Sequence, residues 1–247
     1  MKGSSLMILF LQILGIVLIA IPIAFITIVL LLNHRFIQLE NEKYSDTDRW
    51  RFVSWLASWA VPLLTFSKTE IIGLEKISED NIETGVIYAN HHSIFDIFSL
   101  LKVIKRRHAY IAKKEIGKIF LLNRGMRLIK CGFLDRENPR AAVKTISDAV
   151  KTVKEGILMV IFPEGTRVVN GPIGLFKAGS FKVATKARAN IVPMTIYNSE
   201  FVGKRWPLST TVKIKIHDPI PYETYKDMET QEIALMVETI VKEELKN

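Results

Sequence analysis

Two long apolar runs dominate the first 66 residues of the chain. The first, Leu6 to Leu32, has no charged side chain over 27 positions, more than the roughly 18 that indicate a bilayer segment. As a helix it would extend about 40 Å at ~1.5 Å per residue, enough to span the hydrocarbon core with a tilt or a bend at Pro22. The run is too long for a signal peptide and lacks a small-residue cleavage site. It therefore predicts a membrane helix, with spanning and single-leaflet insertion both open.

The second apolar run, Phe52 to Phe66, is 15 residues long and would cover only about 22 Å as a helix. Trp50, Trp55 and Trp59 lie in or beside it, and indole rings favour the headgroup level of a bilayer. We predict a helix lying in the membrane interface; a core helix of the main domain is the alternative. Residues 1–66 are thus predicted as a membrane-anchoring region, with apolar residues 6–32 and interfacial residues 52–66, ahead of a domain over residues 67–247.

Charge on either side of the first run predicts its orientation. Only Lys2 precedes the run, whereas four basic residues follow it: Arg35, Lys43, Arg49 and Arg51. By the positive-inside bias, the rest of the chain is expected on the cytoplasmic side of the membrane.

Beyond residue 67 the pattern changes to short β-rich runs that alternate with helical periodicity. Seven strands are predicted: Thr69–Gly73, Gly85–Asn90, His108–Ala112, Gly132–Arg136, Ile157–Phe162, Ile191–Tyr197 and Thr211–His217. Asn138-Pro139 is typical of a cap followed by proline at the first helical position, and a last helix is predicted over Thr230 to Leu245. This order predicts an α/β sandwich around a largely parallel or mixed sheet of about seven strands, preceded by the membrane-associated helical segment.

Composition and charge limit the kinds of binding partner that the chain can have. The chain is 49% apolar, carries a net charge of +9 and contains a single cysteine, Cys131, which excludes an intramolecular disulfide framework and paired-thiolate zinc sites. Residues 102–140 hold twelve basic against three acidic side chains, so this stretch carries the whole excess. Such a block is either a solvated surface or a surface that attracts anionic lipid. Nucleic acid is disfavoured as a partner because few aromatic residues accompany the charges.

One candidate for catalysis follows the predicted strand that ends near Asn90. If His91 terminates the strand and Ser93 caps the next helix, Asp96 lies in the first helical turn and can orient the imidazole and stabilise its protonated form. The alternative is that Asp96 only completes a capping box with Ser93. A metal site built from His91, His92 and Asp96 is less favoured, because adjacent side chains diverge.

Two further strands also end in polar residues. Phe162-Pro163-Glu164-Gly165-Thr166-Arg167 follows a buried strand; Arg167 suits a phosphate, Gly165 allows close backbone approach, and Glu164 can orient Arg167 or bind a hydroxyl. Another strand ends in Asp135-Arg136. Ligands collect at the carboxyl ends of strands in open α/β sheets, so an active site is predicted there. Pro193 predicts an edge or kinked strand.

The four blocks together resemble the glycerolipid acyltransferase family, most closely its lysophosphatidate acyltransferases of the PlsC type. They are Asn90-His91-x4-Asp96, Gly132–Arg136, Phe162–Arg167 and Val192-Pro193, within a resemblance that covers roughly Ile71 to Tyr197. Two departures are small: Val168 stands where the family often has serine, and Phe176-Lys177-Ala178-Gly179 has one lysine where relatives often have two.

The resemblance implies a catalytic role for His91 as general base and Asp96 as its partner. It implies phosphate binding by Arg136 and Arg167, with Lys113 as a weaker candidate, and a substrate site that includes Glu164, Gly165 and Thr166. The implied reaction acylates the sn-2 hydroxyl of lysophosphatidic acid from an acyl-CoA or acyl carrier protein thioester, with no metal, no other cofactor and no covalent intermediate.

The implied setting is a prokaryotic inner membrane with an anionic surface, and nucleic acid is not expected as a partner. Glycerol 3-phosphate or another lysophospholipid as acceptor, or a phospholipid-binding protein without turnover, are the alternatives.

Overall fold

The computed structural model describes residues 2–168, 171–204 and 208–246, apart from the side chains of residues 2–6, 8, 9 and 60–64. Contacts divide the chain into two units, Met1–Tyr44 and Ser45–Asn247.

The smaller unit contains the predicted apolar helix, α1, over Lys2–Leu39. Pro22 lies inside it, and the hydroxyl of Thr27 donates to the carbonyl of Ile23 at 2.8 Å, which satisfies this polar group within the helix. Phe10–Leu39, 30 residues, is long and apolar enough to cross a membrane.

The larger unit is built on one mixed sheet, which confirms the predicted fold class. Over the described residues the sheet has seven strands: β1 Lys68–Ile72, β2 Gly85–Ala89, β3 His108–Lys113, β4 Gly132–Leu134, β5 Leu158–Ile161, β6 Asn190–Tyr197 and β7 Thr211–Ile216. Their spatial order is β1-β7-β6-β2-β5-β3-β4. Every neighbouring pair is parallel except β6 with β7.

Helices cover both faces of this sheet. After α1 the α-helices are α2 Asp46–Thr65, α3 Phe95–Val103, α4 Leu122–Leu128, α5 Pro139–Lys154, α6 Lys182–Ala187, α7 Tyr222–Tyr225 and α8 Thr230–Lys246. One apolar cluster joins the sheet to α5, α6 and α8, and a second joins it to α2 and α3. Because strands β2 and β5 are buried along their whole length, they read as continuous apolar runs in the sequence.

The predicted helix boundaries follow from local capping. The side chain of Asn138 accepts a hydrogen bond from the amide of Ala141 at 3.2 Å, Pro139 occupies the first turn of α5, and Gly156, just beyond the end of α5, has a φ of +80°.

The second apolar run forms most of α2, and it belongs to the larger unit, so the division of contacts at residue 44 differs from the predicted boundary at 66. The reason is that one face of α2 packs into the core: Trp50 meets His108 edge-on, and the Ser54 hydroxyl donates to the Leu101 carbonyl at 2.7 Å. Trp55 and Trp59 are exposed on the same helix. The buried face fits the core-helix alternative, and the interfacial role of the exposed tryptophans stays a prediction.

The expectation that Pro193 marks an edge strand is wrong, because β6 lies in the middle of the sheet, and the alternative of a kinked strand stays a prediction. Ile191 exchanges backbone hydrogen bonds with Ile220, and the Pro193 carbonyl accepts from the His217 amide at 3.0 Å. Residues 191 and 193 thus direct their backbone groups toward the β7 side, where the chain between Ile216 and Ile220 leaves the regular ladder. The missing amide of proline therefore costs no ladder bond.

Candidate active site

The carboxyl ends of four parallel strands meet at one edge of the sheet, here called the carboxyl edge. His91 comes two residues after β2, residues 162–167 follow β5, and Arg136 comes two residues after β4, which ends at Leu134 rather than at the predicted Arg136. The turn Lys114–Lys118 follows β3 at the same edge. The topology therefore brings the predicted blocks to one place.

His91 and Asp96 form the pair that the sequence predicted. The Nδ1 of His91 lies 2.7 Å from Oδ2 of Asp96, and the imidazole stacks on Phe162 with ring centroids 4.0 Å apart. The carboxyl group of Asp96 is fully buried, whereas the His91 side chain is 16% exposed. Since a carboxylate accepts, Nδ1 of His91 is the donor in this contact, and in a neutral imidazole the other nitrogen, Nε2, is then the acceptor.

Asp96 also holds the backbone that leads to its helix. Its Oδ2 accepts from the amides of His92 at 2.9 Å and Ser93 at 3.0 Å, while the Ser93 hydroxyl accepts from the Phe95 amide at 3.3 Å. A single oxygen atom of Asp96 therefore contacts both the His91 imidazole and the backbone at the start of α3, and the catalytic role of Asp96 stays a prediction. Three donated hydrogen bonds suit an ionised carboxylate.

Asn90 has a role that the sequence reasoning did not assign. Its side-chain amide donates to the Ile196 carbonyl and its oxygen accepts from the Ile196 amide, each at 2.8 Å. Asn90 thus extends the pairing of β2 with β6 by one residue through its side chain and fixes the point at which the chain turns into His91. A buried asparagine at the end of an apolar strand is the sequence signal for such a role.

Glu164 holds two backbone segments together. Its Oε1 accepts from the His91 amide at 2.7 Å and its Oε2 accepts from the Gly174 amide at 2.8 Å. Burial raises the pKa of Glu164, and these two amide hydrogen bonds oppose the rise. Both carboxylate oxygens therefore have protein partners, and neither contacts Arg167, so Glu164 positions the His91 backbone.

Gly165 lies where two cationic side chains converge. It has a φ of +77°, and a β-carbon placed on it would lie 2.9 Å from Nζ of Lys177 and 3.2 and 3.3 Å from the two terminal nitrogens of Arg136. Glycine is required here by backbone conformation and by space. Lys177 was noted in the sequence only as part of a departure from the family pattern, because its approach to Gly165 depends on how a distant loop folds.

The remaining predicted substrate residues are exposed. Thr166 and Arg167 follow Gly165 at the surface, and Lys113 ends β3 with its Nζ 3.6 Å from Glu115. Among the described residues, Arg167 makes no hydrogen bond or ion pair within the protein. The structure thus joins His91, Asp96 and Glu164 by direct hydrogen bonds and brings Arg136 to Gly165. The other three predicted residues lie at the carboxyl edge because the strands before them end there, and they have no contact with His91 among those described: Thr166, Arg167 and Lys113.

His92 bonds to a different partner from His91. Its Nδ1 donates to the Val168 carbonyl at 2.7 Å, and the Val168 amide donates to the His91 carbonyl at 2.9 Å. Within the described parts of the chain, no group of three metal-ligating side chains is close enough to hold an ion.

Comparisons with known proteins agree on one family. The model of the Acyltransferase family matches residues 68–197. A chloroplastic 1-acyl-sn-glycerol-3-phosphate acyltransferase of Brassica napus is 32% identical over 208 residues, which cover 80% of this chain and 57% of that protein. A probable 1-acyl-sn-glycerol-3-phosphate acyltransferase of Mycoplasma pneumoniae is 31% identical over 195 residues, covering 77% of this chain and 71% of that protein.

A solved structure is similar as well. The crystal structure of the 1-acyl-sn-glycerophosphate acyltransferase PlsC from Thermotoga maritima superposes with a TM-score of 0.69 and 28% identity over 87% of each chain. The chain spans little more than half the length of the first chloroplastic relatives, 57% and 56%.

Proposed function

The chain belongs to the Acyltransferase family, and from that premise we propose that it acylates the sn-2 hydroxyl of 1-acylglycerol 3-phosphate to give phosphatidic acid. The acyl donor is a thioester of coenzyme A or of acyl carrier protein. The observation that carries the proposal is the 2.7 Å contact between His91 Nδ1 and the buried carboxylate of Asp96, which leaves Nε2 as a base at the carboxyl edge.

In the proposed reaction, Nε2 of His91 removes the proton of the acceptor hydroxyl while its oxygen attacks the thioester carbonyl. Asp96 stabilises the imidazolium that forms. The tetrahedral intermediate collapses with cleavage of the carbon–sulfur bond, and the imidazolium returns the proton to the departing thiolate. General-base assistance of this kind contributes about 10²- to 10⁴-fold to a rate.

Direct transfer is favoured over a covalent acyl-enzyme because neither candidate nucleophile, Ser93 close to His91 or Cys131 at the amino end of β4, is activated. The Ser93 hydroxyl accepts from the Phe95 amide, and no base is bonded to it among the described residues. Burial raises the pKa of the Cys131 thiol to about 12, so this group stays protonated at neutral pH.

A membrane setting is part of the proposal. Six exposed large apolar side chains of the larger unit lie on loops at its carboxyl edge: Phe66, Ile94, Ile119, Phe120, Leu175 and Leu208. Others, among them Ile72, Val143 and Leu235, lie elsewhere on this unit. The six residues at the carboxyl edge support access to a lipid substrate from a bilayer surface. Location in a prokaryotic inner membrane, with the larger unit in the cytoplasm and facing anionic lipid, is proposed on the charge bias around α1.

The test uses the full chain in detergent with lysophosphatidate and a panel of thioesters. We expect release of free thiol and formation of phosphatidate, and a loss of at least 100-fold in kcat for His91→Ala. His34→Ala, in α1, is the matched control and should behave as the parent. Full activity of His91→Ala would remove His91 from the base role.

The same panel separates the alternatives. Preference for glycerol 3-phosphate or another lysophospholipid would change the acceptor, and phospholipid binding without thiol release would indicate a non-catalytic protein. Acyl-CoA and acyl carrier protein are compared as donors in the same assay.

A further inference from the structure

Two basic side chains from distant parts of the chain point at the same spot above Gly165. The distances from the Gly165 β-carbon position to Lys177 Nζ and to the Arg136 guanidinium place the two cations at most about 6 Å apart. Like charges at this separation repel, and the repulsion is relieved when an anion lies between them.

The convergence is built into the backbone. The Lys177 amide donates to the Pro163 carbonyl at 3.0 Å, in the turn that also contains Gly165. The residue before Lys177, Phe176, donates its amide to the buried carboxylate of Glu238 at 2.6 Å, and Gly174 donates to Glu164. Two buried carboxylates thus fix the backbone from which the exposed side chain of Lys177 extends.

The acidic residues next to Arg136 and Gly165 in the sequence have other hydrogen-bond partners. Asp135 and Glu137, which flank Arg136 in the chain, both accept from Lys114, at 2.9 and 2.8 Å. Glu164, next to Gly165, uses both oxygens on backbone amides. Across the described residues, neither Arg136 nor Lys177 has a side-chain ion pair within the protein.

We propose that Lys177 is a further ligand of the phosphate group that the family resemblance assigns to Arg136, bound above Gly165, where the absent side chain of glycine leaves room for the phosphate oxygens. Arg136 supplies a planar set of donors and Lys177 a compact charge. This inference rests on the proposed function, which offers two sources of a phosphate group: the acceptor lysophosphatidate and the carrier of the acyl thioester.

The first test compares Lys177→Met, which keeps length and removes charge, with Lys177→Arg and with the control Lys182→Met. Lys182 is an exposed lysine at the start of α6. We expect Lys177→Met to raise the KM of one phosphate-bearing substrate by about 10-fold with little change in kcat, and Lys177→Arg to return it to within about threefold of the parent. An equal KM change in Lys182→Met would show a bulk charge effect and overturn the proposal.

Substrates without phosphate identify the source. If the acceptor phosphate occupies the site, turnover of 1-monoacylglycerol is the same in the parent and in Lys177→Met, whereas lysophosphatidate discriminates between them. If the donor phosphate occupies the site, turnover with acyl-N-acetylcysteamine is the same in the parent and in Lys177→Met, whereas turnover with acyl-CoA differs between them. Equal losses with the phosphorylated and unphosphorylated forms of each substrate would show a structural role and overturn the proposal.

Direct binding separates this inference from the proposed reaction. Equilibrium dialysis measures the Kd of coenzyme A and of 1-hexanoylglycerol 3-phosphate, the latter below its micelle concentration. Tighter binding by the parent than by Lys177→Met, without any turnover, would retain the phosphate site and refute the reaction. Turnover with identical KM and Kd values in both proteins would retain the reaction and refute the site, and a parent that binds neither ligand would refute the site as well.

Discussion

The buried carboxylate of Asp96 offers the sharpest test of how His91 acts. Asp96→Asn keeps the shape of the side chain and removes its charge 2.7 Å from the imidazole nitrogen. Because Asp96 is fully buried and His91 is only 16% exposed, solvent screens this pair little.

The expected loss follows from the charge that develops on His91. Unit charges about 4 Å apart attract by ~4 kcal/mol at an effective dielectric constant near 20. If the proton is half transferred in the transition state, removing the charge of Asp96 loses about half of this attraction, or ~2 kcal/mol. Loss of charge assistance in the hydrogen bond contributes about 1 kcal/mol more. Together they correspond to about 3 kcal/mol, or a fall in kcat of roughly 10²-fold.

The assay is thiol release at saturating substrates for the parent, Asp96→Asn, His91→Ala and the double variant. If Asp96 acts through His91, Asp96→Asn should have no further effect in the His91→Ala background. Asp218→Asn serves as the control, because its side chain is 91% exposed and pairs only with Lys76 among the described residues. A kcat within threefold of the parent for Asp96→Asn, in protein shown by thermal denaturation to be folded, would refute the reasoning.

Three other outcomes are expected. Burial lowers the pKa of His108 from 6.5 to about 4, so the unfolded chain takes up a proton between these values that the folded chain does not; the free energy of unfolding should fall by about 3 kcal/mol as the pH drops from 6.5 to 4. In chemical denaturation, the unfolding free energy of His108→Gln should depend less on pH over this range than that of the parent. The same pH dependence in both proteins would contradict the prediction. Gly165→Ala should lower the unfolding free energy by about 1–2 kcal/mol and kcat/KM by more than about 10-fold. Gly156→Ala, at a φ of +80° with nothing within 4 Å of the added carbon, should lower the unfolding free energy without changing kcat/KM. Equal kcat/KM values for the two variants would argue against a crowded site at Gly165. Cys131→Ala should keep kcat within about twofold, since a thiol with a pKa raised to about 12 is no nucleophile; loss of turnover in folded protein would reopen a covalent route.

Local sequence signals predicted most of the sheet. All seven strands lie within two residues of their predicted ends, because apolar β-rich runs bounded by turn residues depend on neighbours in the chain. The helix after Asn138 begins where its cap places it. The His91 and Asp96 pair was also predictable, since its members are only five positions apart in the chain.

The pairing of strands that are distant in the sequence could not be predicted from the local pattern of apolar and polar residues. Pro193 indicated an edge strand, yet β6 is central because the irregular chain between Ile216 and Ile220 faces the position where proline lacks an amide. Strand order depends on contacts between residues far apart in sequence, and no periodicity encodes it.

The sequence alone determined the apolar helix, the α/β class, the blocks of polar residues at strand ends and the resemblance to an acyltransferase family. Tertiary structure alone decided that both carboxylate oxygens of Glu164 accept from backbone amides. It also decided that α2 buries one face against α3 and that the side chains of Lys177 and Arg136 converge above Gly165. The physical reason is range: hydrophobic periodicity and capping act within a few residues, whereas hydrogen bonds and charges act between whichever groups the completed sheet brings together.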